Sequence, residues 1–392
     1  MSGTAQAAET SPAYDLLLAG GTVIDPASGR QETADVAVYD GRVAAIGPGL
    51  TGRALWRVDC RGAMITPGLI DFHVHIFAEV TTLGAPAEAA CLQRGVTTAV
   101  DAGSAGCWTF AAFARHVARQ VPLGVYCFLN VAATGILDIR LGENRVLDHL
   151  LVDDAVALAA RHPDLIKGFK VRLGEQMVGN SCRPVLERAR AMGDAAGLPL
   201  MLHIGETPEP LPEILHYLRP GDVVSHCYTG NRHGILQDGA LLDAVRAARD
   251  AGVLYDSAHG SSHFSYAVAR RAIEAGFLPD TISSDNSLRN WRGPVHDLPT
   301  TMAKFVALGV PFLDVLERVT WRPAQLLGLA GEGYGRLQPG GPADLTVLRW
   351  TEEPYLLRDS TGEVLQAPRL EPLYTVRAGH LVPCVPWRGV AA

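Results

Sequence analysis

The sequence predicts an α/β fold, a (β/α)8 TIM barrel with a small β-sandwich domain built from both chain ends. Three observations predict this fold. Eight apolar, strand-like runs alternate with helical stretches in the middle of the chain. Shorter runs of alternating residues, broken by Gly, Asp and Pro, lie near both ends. The chain has 392 residues, 48% of them hydrophobic, which is enough for one large core and a second small one.

The small β domain is predicted from residues 14–64 together with residues 333–392. Its strand-like runs are 14–18, 21–25, 35–39, 42–46, 343–349 and 372–377. Asp40-Gly41 separates two of these runs and is a typical hairpin turn. Residues 1–13 are small and polar, without a basic start or a long apolar run, so we expect a flexible N-terminal tail and no signal peptide.

The barrel is predicted over residues 65–332. Its eight strand-like runs are 65–75, 97–103, 124–130, 166–172, 199–205, 222–227, 253–259 and 281–285. Helical periodicity is clearest in four stretches, 155–161, 186–196, 241–251 and 266–275. A doubly wound open sheet is the alternative, but neither a GxGxxG nor a Walker A motif follows the first strand, so a nucleotide-binding function has no support.

Composition and charge exclude several classes of function. The net charge is -7 and both signs are scattered, so no basic stripe indicates nucleic acid and no polybasic segment indicates an anionic membrane. No run of about 18 apolar residues is present to span a membrane. The seven cysteines are widely spaced and form no CxxC pair, which favours a reducing cytoplasm. No feature decides between a monomer and a homo-oligomer.

Polar residues end several of the predicted strands. Because active sites of such barrels lie at the carboxyl ends of the strands, we expect these residues to meet at one mouth. The set is His73, His75, Lys170, His203, His226 and Asp285. His73 and His75 are two apart and share one strand face, which suits a pair of nitrogen ligands on a divalent metal. A single strand-end histidine is more often a structural hydrogen-bonder, but convergence of several weakens that interpretation.

Lys170 needs its own explanation, because Lys167 lies three residues away on the opposite strand face. Lys170 is nearer the carboxyl end, whereas Lys167 is expected to be solvated or to face a helix. An ammonium beside metal ions would be repelled, so Lys170 must lose its proton or react with CO2 to give a carbamate with two anionic oxygens. The alternative is an ordinary salt-bridging lysine.

These residues, in this order and at this spacing, resemble the amidohydrolase superfamily. The flanking segments 67–75 and 340–346 resemble it too. More narrowly, the segments 168–172, 225–230, 259–260, 282–285 and 297–304 resemble its amidohydrolase/deacetylase metallohydrolase branch. One departure is visible: the branch often carries a histidine within two residues after the aspartate, whereas here Asn286 and Ser287 follow Asp285.

The resemblance implies two divalent metal ions, with zinc favoured by the nitrogen and carboxylate ligands. His73, His75 and Asp285 would hold one ion, His203 and His226 the other, and carbamylated Lys170 would bridge them. A metal-bridging hydroxide would attack the scissile carbonyl, and Asp285, the catalytic residue, would pass the water's proton to the leaving group. The expected activity is deacetylase-like hydrolysis of an amide or ester bond.

Basic residues favour a small, carboxylate-bearing substrate, such as an N-acyl amino acid or an O-acyl hydroxy acid. The candidate contacts are Arg172, Tyr228, Asn231, His259 and Arg289. Further candidates are the loop residues Arg232 and Arg292 and, at the end of the third predicted strand, Asn130. Two other reactions compete within the same fold. One is a cyclic amidase of dihydroorotase or hydantoinase type, and the other is a mononuclear-zinc deaminase in which Glu206 of His203-Ile-Gly-Glu206 delivers a proton. A scaffold protein without chemistry is the non-enzymatic alternative.

Overall fold

The computed structural model describes residues 13–385 and residue 387. Residues 1–12 of the predicted tail and residues 386 and 388–392 of the predicted β domain lie outside the described residues. Strands and helices are numbered along the chain. The described residues form two large sheets and a two-stranded hairpin.

The first sheet joins strands from both chain ends. It contains β1 (Ala13–Asp25), β2 (Arg30–Tyr39), β3 (Arg42–Gly47), β4 (Arg53–Asp59), β5 (Met64–Pro67), β15 (Leu345–Arg358), β16 (Val364–Arg377) and β17 (His380–Pro383). The order is β17-β16-β15-β5-β1-β2-β3, with β4 beside β1. Because these strands belong to one hydrogen-bonded sheet, the face-to-face sandwich stays a prediction, as do the domain boundaries at residues 64 and 333.

The turn between β2 and β3 is the predicted hairpin. Asp40 and Gly41 have φ values of 49° and 69°, the left-handed conformation that suits a two-residue turn between twisted strands. The runs 14–18 and 21–25 form a single strand, β1, whose register shifts between Leu18 and Gly21. Such a shift marks a β-bulge, which lets one strand pair with β4 before it and with β5 after it.

The second sheet is parallel throughout and carries the main core. It contains β6 (Leu69–Val74), β7 (Val96–Ala102), β8 (Gly124–Asn130), β9 (Ile166–Arg172), β10 (Leu200–His203), β11 (Val223–Ser225) and β14 (Leu254–Asp256). Nearly every residue of these strands is buried, as expected when helices cover a parallel sheet. The hairpin β12 (Leu236–Gln237) and β13 (Ala240–Leu241) lies outside this sheet. The α/β class and seven of the eight predicted barrel strands are confirmed.

The predicted eighth strand, 281–285, is present as isolated bridges and not as a regular strand. Thr281 pairs with Asp256 on β14, and Asn286 pairs with Val74 on β6, both in parallel. The amide of Asp285 donates to the carbonyl of His73 over 2.8 Å. Residues 281–286 therefore link the two edge strands, and the sheet is TIM-barrel-like.

The helices follow the strands. They are α1 (Ala87–Ala90), α2 (Phe110–Phe113), α3 (Val152–Arg161), α4 (Glu175–Val178), α5 (Cys182–Ala196), α6 (Leu211–Leu215), α7 (Asp243–Asp250), α8 (Tyr266–Glu274), α9 (Leu298–Ala307), α10 (Phe312–Glu317) and α11 (Trp321–Leu326). The four predicted helices correspond to α3, α5, α7 and α8. Within residues 13–385, no helix combines the length and the apolar character needed to cross a membrane.

The β15–β16 hairpin reaches from the first sheet back to the barrel. At its tip, Asp359 accepts a hydrogen bond from the amide of Tyr266 over 2.9 Å. The Ser360 hydroxyl accepts a hydrogen bond from the amide of Phe264, and the Ser360 amide donates one to the Phe264 carbonyl, both over 2.9 Å. The loop that follows β14 is therefore fixed from outside the barrel.

Candidate active site

The six polar residues predicted from strand ends converge at the carboxyl end of the parallel sheet. A cavity of about 150 Å³ opens there. Five of the six line it: His75, Lys170, His203, His226 and Asp285. His73 lies next to them, with its ring centroid 5.2 Å from that of His226. Five of the six are buried. The Asp285 side chain is 13% exposed, so it is the most solvent-accessible of the six.

One group of ligand atoms surrounds Oδ1 of Asp285. Nε2 of His75 lies 3.3 Å from this oxygen and Nε2 of His73 lies 3.7 Å from it. Nζ of Lys170 lies 3.2 Å from Nε2 of His73. Four side chains, from β6 and the residue that follows it, from β9 and from the 281–286 segment, therefore direct nitrogen or oxygen atoms to one point.

A second group is formed by histidines from three neighbouring loops and strand ends. The rings of His203 and His226 are 4.4 Å apart between centroids. His263, which follows β14, lies 4.7 Å from His203 and 4.3 Å from His226 by the same measure. One nitrogen from each of the three lies within 4.8 Å of the others. His226 itself has φ 66°, so the chain turns sharply at the end of β11 to point this ring inward.

Hydrogen bonds fix the orientation of two of these rings. Nδ1 of His226 lies 2.8 Å from the carbonyl of Ala258, which can only accept, so Nδ1 carries the proton and Nε2 keeps its lone pair. Nδ1 of His75 lies 3.0 Å from the Ser104 hydroxyl. Binding the outer nitrogen in this way is how proteins present the other nitrogen to a metal.

Asp256 plays the corresponding part for His73. Its Oδ2 lies 3.4 Å from Nδ1 of His73, and its oxygens accept the hydroxyls of Thr281 and Ser283 over 2.7 Å. Burial raises the pKa of Asp256 to about 7, and these hydroxyl hydrogen bonds oppose the rise. A carboxylate facing the outer nitrogen of a histidine is a recurrent partner of metal-binding imidazoles.

Burial controls the charge of the site. It lowers the pKa values of His73, His203 and His226 well below the usual range, so all three are neutral near pH 7, the form that binds metals. Burial also lowers the pKa of Lys170 to about 7, with the Asp285 charge opposing the shift. No carboxylate among the described residues lies within ion-pair distance of Lys170, so it is not an ordinary salt-bridging lysine.

Most of the chain is similar to known proteins of one family. Residues 64–382 match the family model described as "Amidohydrolase family". The chain belongs to the amidohydrolase family. Relatives of this amidohydrolase that are named deacetylases are 31–36% identical to it over the aligned residues, and the one from Brucella anthropi is 36% identical over 88% of this chain and 86% of its own.

Two solved structures resemble the amidohydrolase over nearly its full length. A structure titled as an adenine deaminase has a TM-score of 0.87 and 30% identity, covering 94% of this chain and 100% of its own. A structure titled as a dihydroorotase has a TM-score of 0.88 and 32% identity, and the match covers 95% of this chain and 100% of that structure's chain. Family members are hydrolases that act on C–N bonds, and the predicted superfamily and its deacetylase-like relatives are confirmed. The substrate has to be inferred from the site.

The donor set of this amidohydrolase fits divalent metal ions. Imidazole and carboxylate are ligands that zinc and related ions accept. The buried amine of Lys170 contacts Nε2 of His73 at 3.2 Å instead of an acid. Gly103 makes room for this lysine, because a Cβ on Gly103 would lie 2.7 Å from Cβ of Lys170. Grouping several buried polar side chains is costly in an apolar core, but such a group is expected around bound cations.

The predicted substrate contacts fall into two groups. Arg172 and Arg289 line the cavity. Arg172 is buried with a guanidinium nitrogen 3.4 Å from Glu143, whereas Arg289 is exposed. Asn231 does not line the cavity, but its Nδ2 lies 3.5 Å from Nδ1 of His263, which does.

Tyr228 and His259 lie away from the cavity, in the core. The Tyr228 hydroxyl donates to the carbonyl of Phe277 over 2.6 Å. Nδ1 of His259 donates a hydrogen bond to the Gly260 carbonyl, and Nε2 accepts one from Nζ of buried Lys304, both over 2.8 Å. Their polar atoms are therefore occupied by the protein, and nothing in their positions supports a substrate contact.

The remaining sequence candidates also have protein partners. Asn130 bridges the Gly103 carbonyl and the Ala132 amide. Lys167 donates to the Pro163 carbonyl and lies over the Tyr126 ring, on the face opposite Lys170. Exposed Glu206, the residue of the deaminase alternative, does line the cavity.

His263 and Asp256 belong to the site, and sequence reasoning missed both. Asp256 sits at a strand end like the chosen histidines, and the rule that selected them would have found it. His263 lies in a loop, seven residues past the end of β14, where the strand-end rule does not apply. The only sequence signal was a second histidine shortly after His259.

Proposed function

We propose that this chain is a binuclear metal-dependent hydrolase that cleaves an amide or ester bond in a small carboxylate-bearing substrate, as a deacetylase does. The observation that carries the proposal is the convergence of the six strand-end residues on one cavity, with nitrogen and oxygen atoms of His73, His75, Lys170 and Asp285 grouped within 3.2 to 3.7 Å. The names of the deacetylase relatives support the reaction.

His73, His75 and Asp285 would hold one divalent ion, and His203 and His226 would hold the other, with zinc the ion that best suits these ligands. When bound, the ions would polarise the scissile carbonyl and lower the pKa of an attacking water. Asp285 is the most exposed of the six proposed site residues. It would accept the water's proton and pass it to the leaving amine or alcohol.

Lys170 is the residue we propose to carry a carbamate. Its amine would attack CO2, forming an N–C bond and releasing one proton, and the carbamate, with one negative charge shared over two oxygens, would supply the anionic ligand between the ions. The amine must be neutral to react. Its complete burial lowers the pKa to about 7, against the opposing charge of Asp285, and so favours the neutral form.

The cavity walls favour an anionic substrate. Arg172 and Arg289 provide two guanidinium groups, which bind carboxylates in a bidentate manner. N-acyl amino acids and O-acyl hydroxy acids are small molecules that combine a hydrolysable acyl bond with a carboxylate.

The test is a substrate panel on zinc- or manganese-loaded protein. It compares N-acetyl amino acids and O-acetyl hydroxy acids of both configurations with dihydroorotate, hydantoins, adenine and adenosine. We expect release of acetate from an acyclic substrate. Turnover of adenine or adenosine alone would overturn the proposal.

Lys170 offers a second test with a matched control. Lys170→Ala should lower metal content and reduce turnover by about 100-fold or more, because the bridging oxygens are lost. Lys167→Ala removes the same group from the outer face of the same strand and should change neither. Unchanged metal content and unchanged turnover in Lys170→Ala would remove the bridging role.

A cyclic amidase is the second candidate function. It is favoured by the full-length similarity to the structure titled as a dihydroorotase, at 32% identity and a TM-score of 0.88. The same residues would activate water, and the leaving nitrogen would stay attached to the product. Ring opening of dihydroorotate or a hydantoin in the panel, without release of acetate, would select this reaction.

A further inference from the structure

His263 is a third histidine on one side of the site. It lies in the loop after β14, half-buried, and lines the same cavity as His203 and His226. Its ring stands nearly perpendicular to that of His203, at 82°, and is tilted by 34° from that of His226. One nitrogen of each ring lies within 4.8 Å of the other two.

The position of His263 is set by contacts on both sides. The next residue, Phe264, is held by three hydrogen bonds to Ser360 at the tip of the β15–β16 hairpin. On the other side, the ring lies against Gly205, where a Cβ would come within 3.2 Å of Nδ1 of His263. Gly205 has φ 110° and follows His203 closely, so the loop after β10 leaves space for this ring.

Three clustered imidazoles need an explanation. Two neutral rings that point nitrogen lone pairs at one another gain nothing, and charging them side by side in a buried place is unfavourable. Ligand nitrogens about 2.1 Å from a tetrahedral ion lie about 3.4 Å apart, so small ring rotations would bring all three into a coordination sphere. Three protein ligands with one open position is the arrangement of a catalytic zinc site.

We propose that His263 is a third nitrogen ligand of the metal ion held by His203 and His226. This inference rests on the proposed function, because it adds a ligand to one of the two ions. Its consequence is that this ion has three protein ligands of its own. The ion then depends less on the carbamate than the ion held by His73 and His75.

The experiment measures metal binding directly. Apoprotein is titrated with Zn2+ by equilibrium dialysis, and cobalt-loaded protein is followed by its visible absorption, which reports the number and type of ligands. His263→Asn is compared with the wild type, with His203→Asn, and with His162→Asn. His162 is also half-buried, but it packs against Phe110 outside the cavity. Circular dichroism of each apoprotein checks that the variants fold.

We expect the wild type to bind two ions. His263→Asn should weaken the second ion by about tenfold or more and change the cobalt spectrum, while the first ion is unaffected. His162→Asn should match the wild type. In His263→Ala, added imidazole should restore part of the lost affinity, because it can occupy the vacated ligand position.

The outcomes separate the two proposals. If His203→Asn weakens the second ion but His263→Asn leaves its affinity within twofold and its cobalt spectrum unchanged, the role of His263 is refuted and the proposed function stands. If the wild type binds no second ion, or His203→Asn has no effect on it, the binuclear function itself fails.

Discussion

Gly260 controls the position of the proposed catalytic carboxylate. Its φ is 58°, and a methyl group at this position would overlap Oδ2 of Asp285. In Gly260→Ala, the carboxylate must therefore retreat by about 1 Å to reach ordinary contact. The other oxygen, Oδ1, now 3.3 Å from His75 and 3.7 Å from His73, would move with it. A displacement of this size at a reacting group costs about 100-fold in rate.

The same substitution also strains the backbone, and a second glycine separates the two effects. Gly197 ends α5 with φ 64°, and no atom lies within 4 Å of the position a Cβ would take. Both variants should lose about 1 kcal/mol of folding free energy from the left-handed conformation, or about 1–2 °C in Tm for a chain of this length.

Only Gly260→Ala should lose activity. The assay is kcat on the acyl substrate found in the panel, with metal content measured on the same samples and Tm measured by calorimetry. If Gly260→Ala keeps its kcat within twofold, or if Gly197→Ala loses as much activity, the close approach to Asp285 does not matter for the reaction.

Three further predictions follow from named contacts. Asp256→Asn should weaken metal binding about 10- to 100-fold, measured by dialysis, because His73 loses its carboxylate partner. Arg172→Lys should raise KM for carboxylate substrates about tenfold with kcat unchanged, since lysine keeps the charge but not the bidentate geometry. Burial lowers the pKa of Lys304 to about 7 from 10.5, so the unfolded chain binds more protons between these values and the folded state gains stability as pH rises. The Tm difference between the wild type and Lys304→Met should therefore shift in favour of the wild type from pH 7 to pH 10.

The sequence carries most of the fold and of the proposed metal site because both follow from short-range patterns. Side chains alternate along a β-strand, so His73 and His75 were predicted on one face and Lys170 and Lys167 on opposite faces. These relative directions do not depend on where the strand lies in the fold. The bounds of β8 and β9 match the predicted runs because apolar runs in a parallel sheet are continuous. Residues 281–285 differ, because their pairing is limited to isolated bridges to β6 and β14.

Loop residues could not be assigned in the same way. Tyr228 and His259 looked like substrate contacts because they follow strands, yet their polar atoms bind a carbonyl 49 residues away and a lysine 45 residues away. His263 lies in a loop and was not among the predicted site residues, yet it lines the cavity. The direction of such side chains depends on partners distant in sequence, which no local pattern encodes.

The loop from His259 to Phe264 gets its shape from outside the barrel, and this explains why it carries site residues. At one end, Lys304 of α9 binds His259, and at the other, the β15–β16 tip binds Phe264. Between these anchors lie Gly260, against Asp285, and His263, against the other histidines. The length of the β15–β16 hairpin, well beyond the predicted runs, is what brings its tip to this loop. Strands from the end of the chain therefore contribute to the geometry of a site whose proposed ligands all come from the barrel.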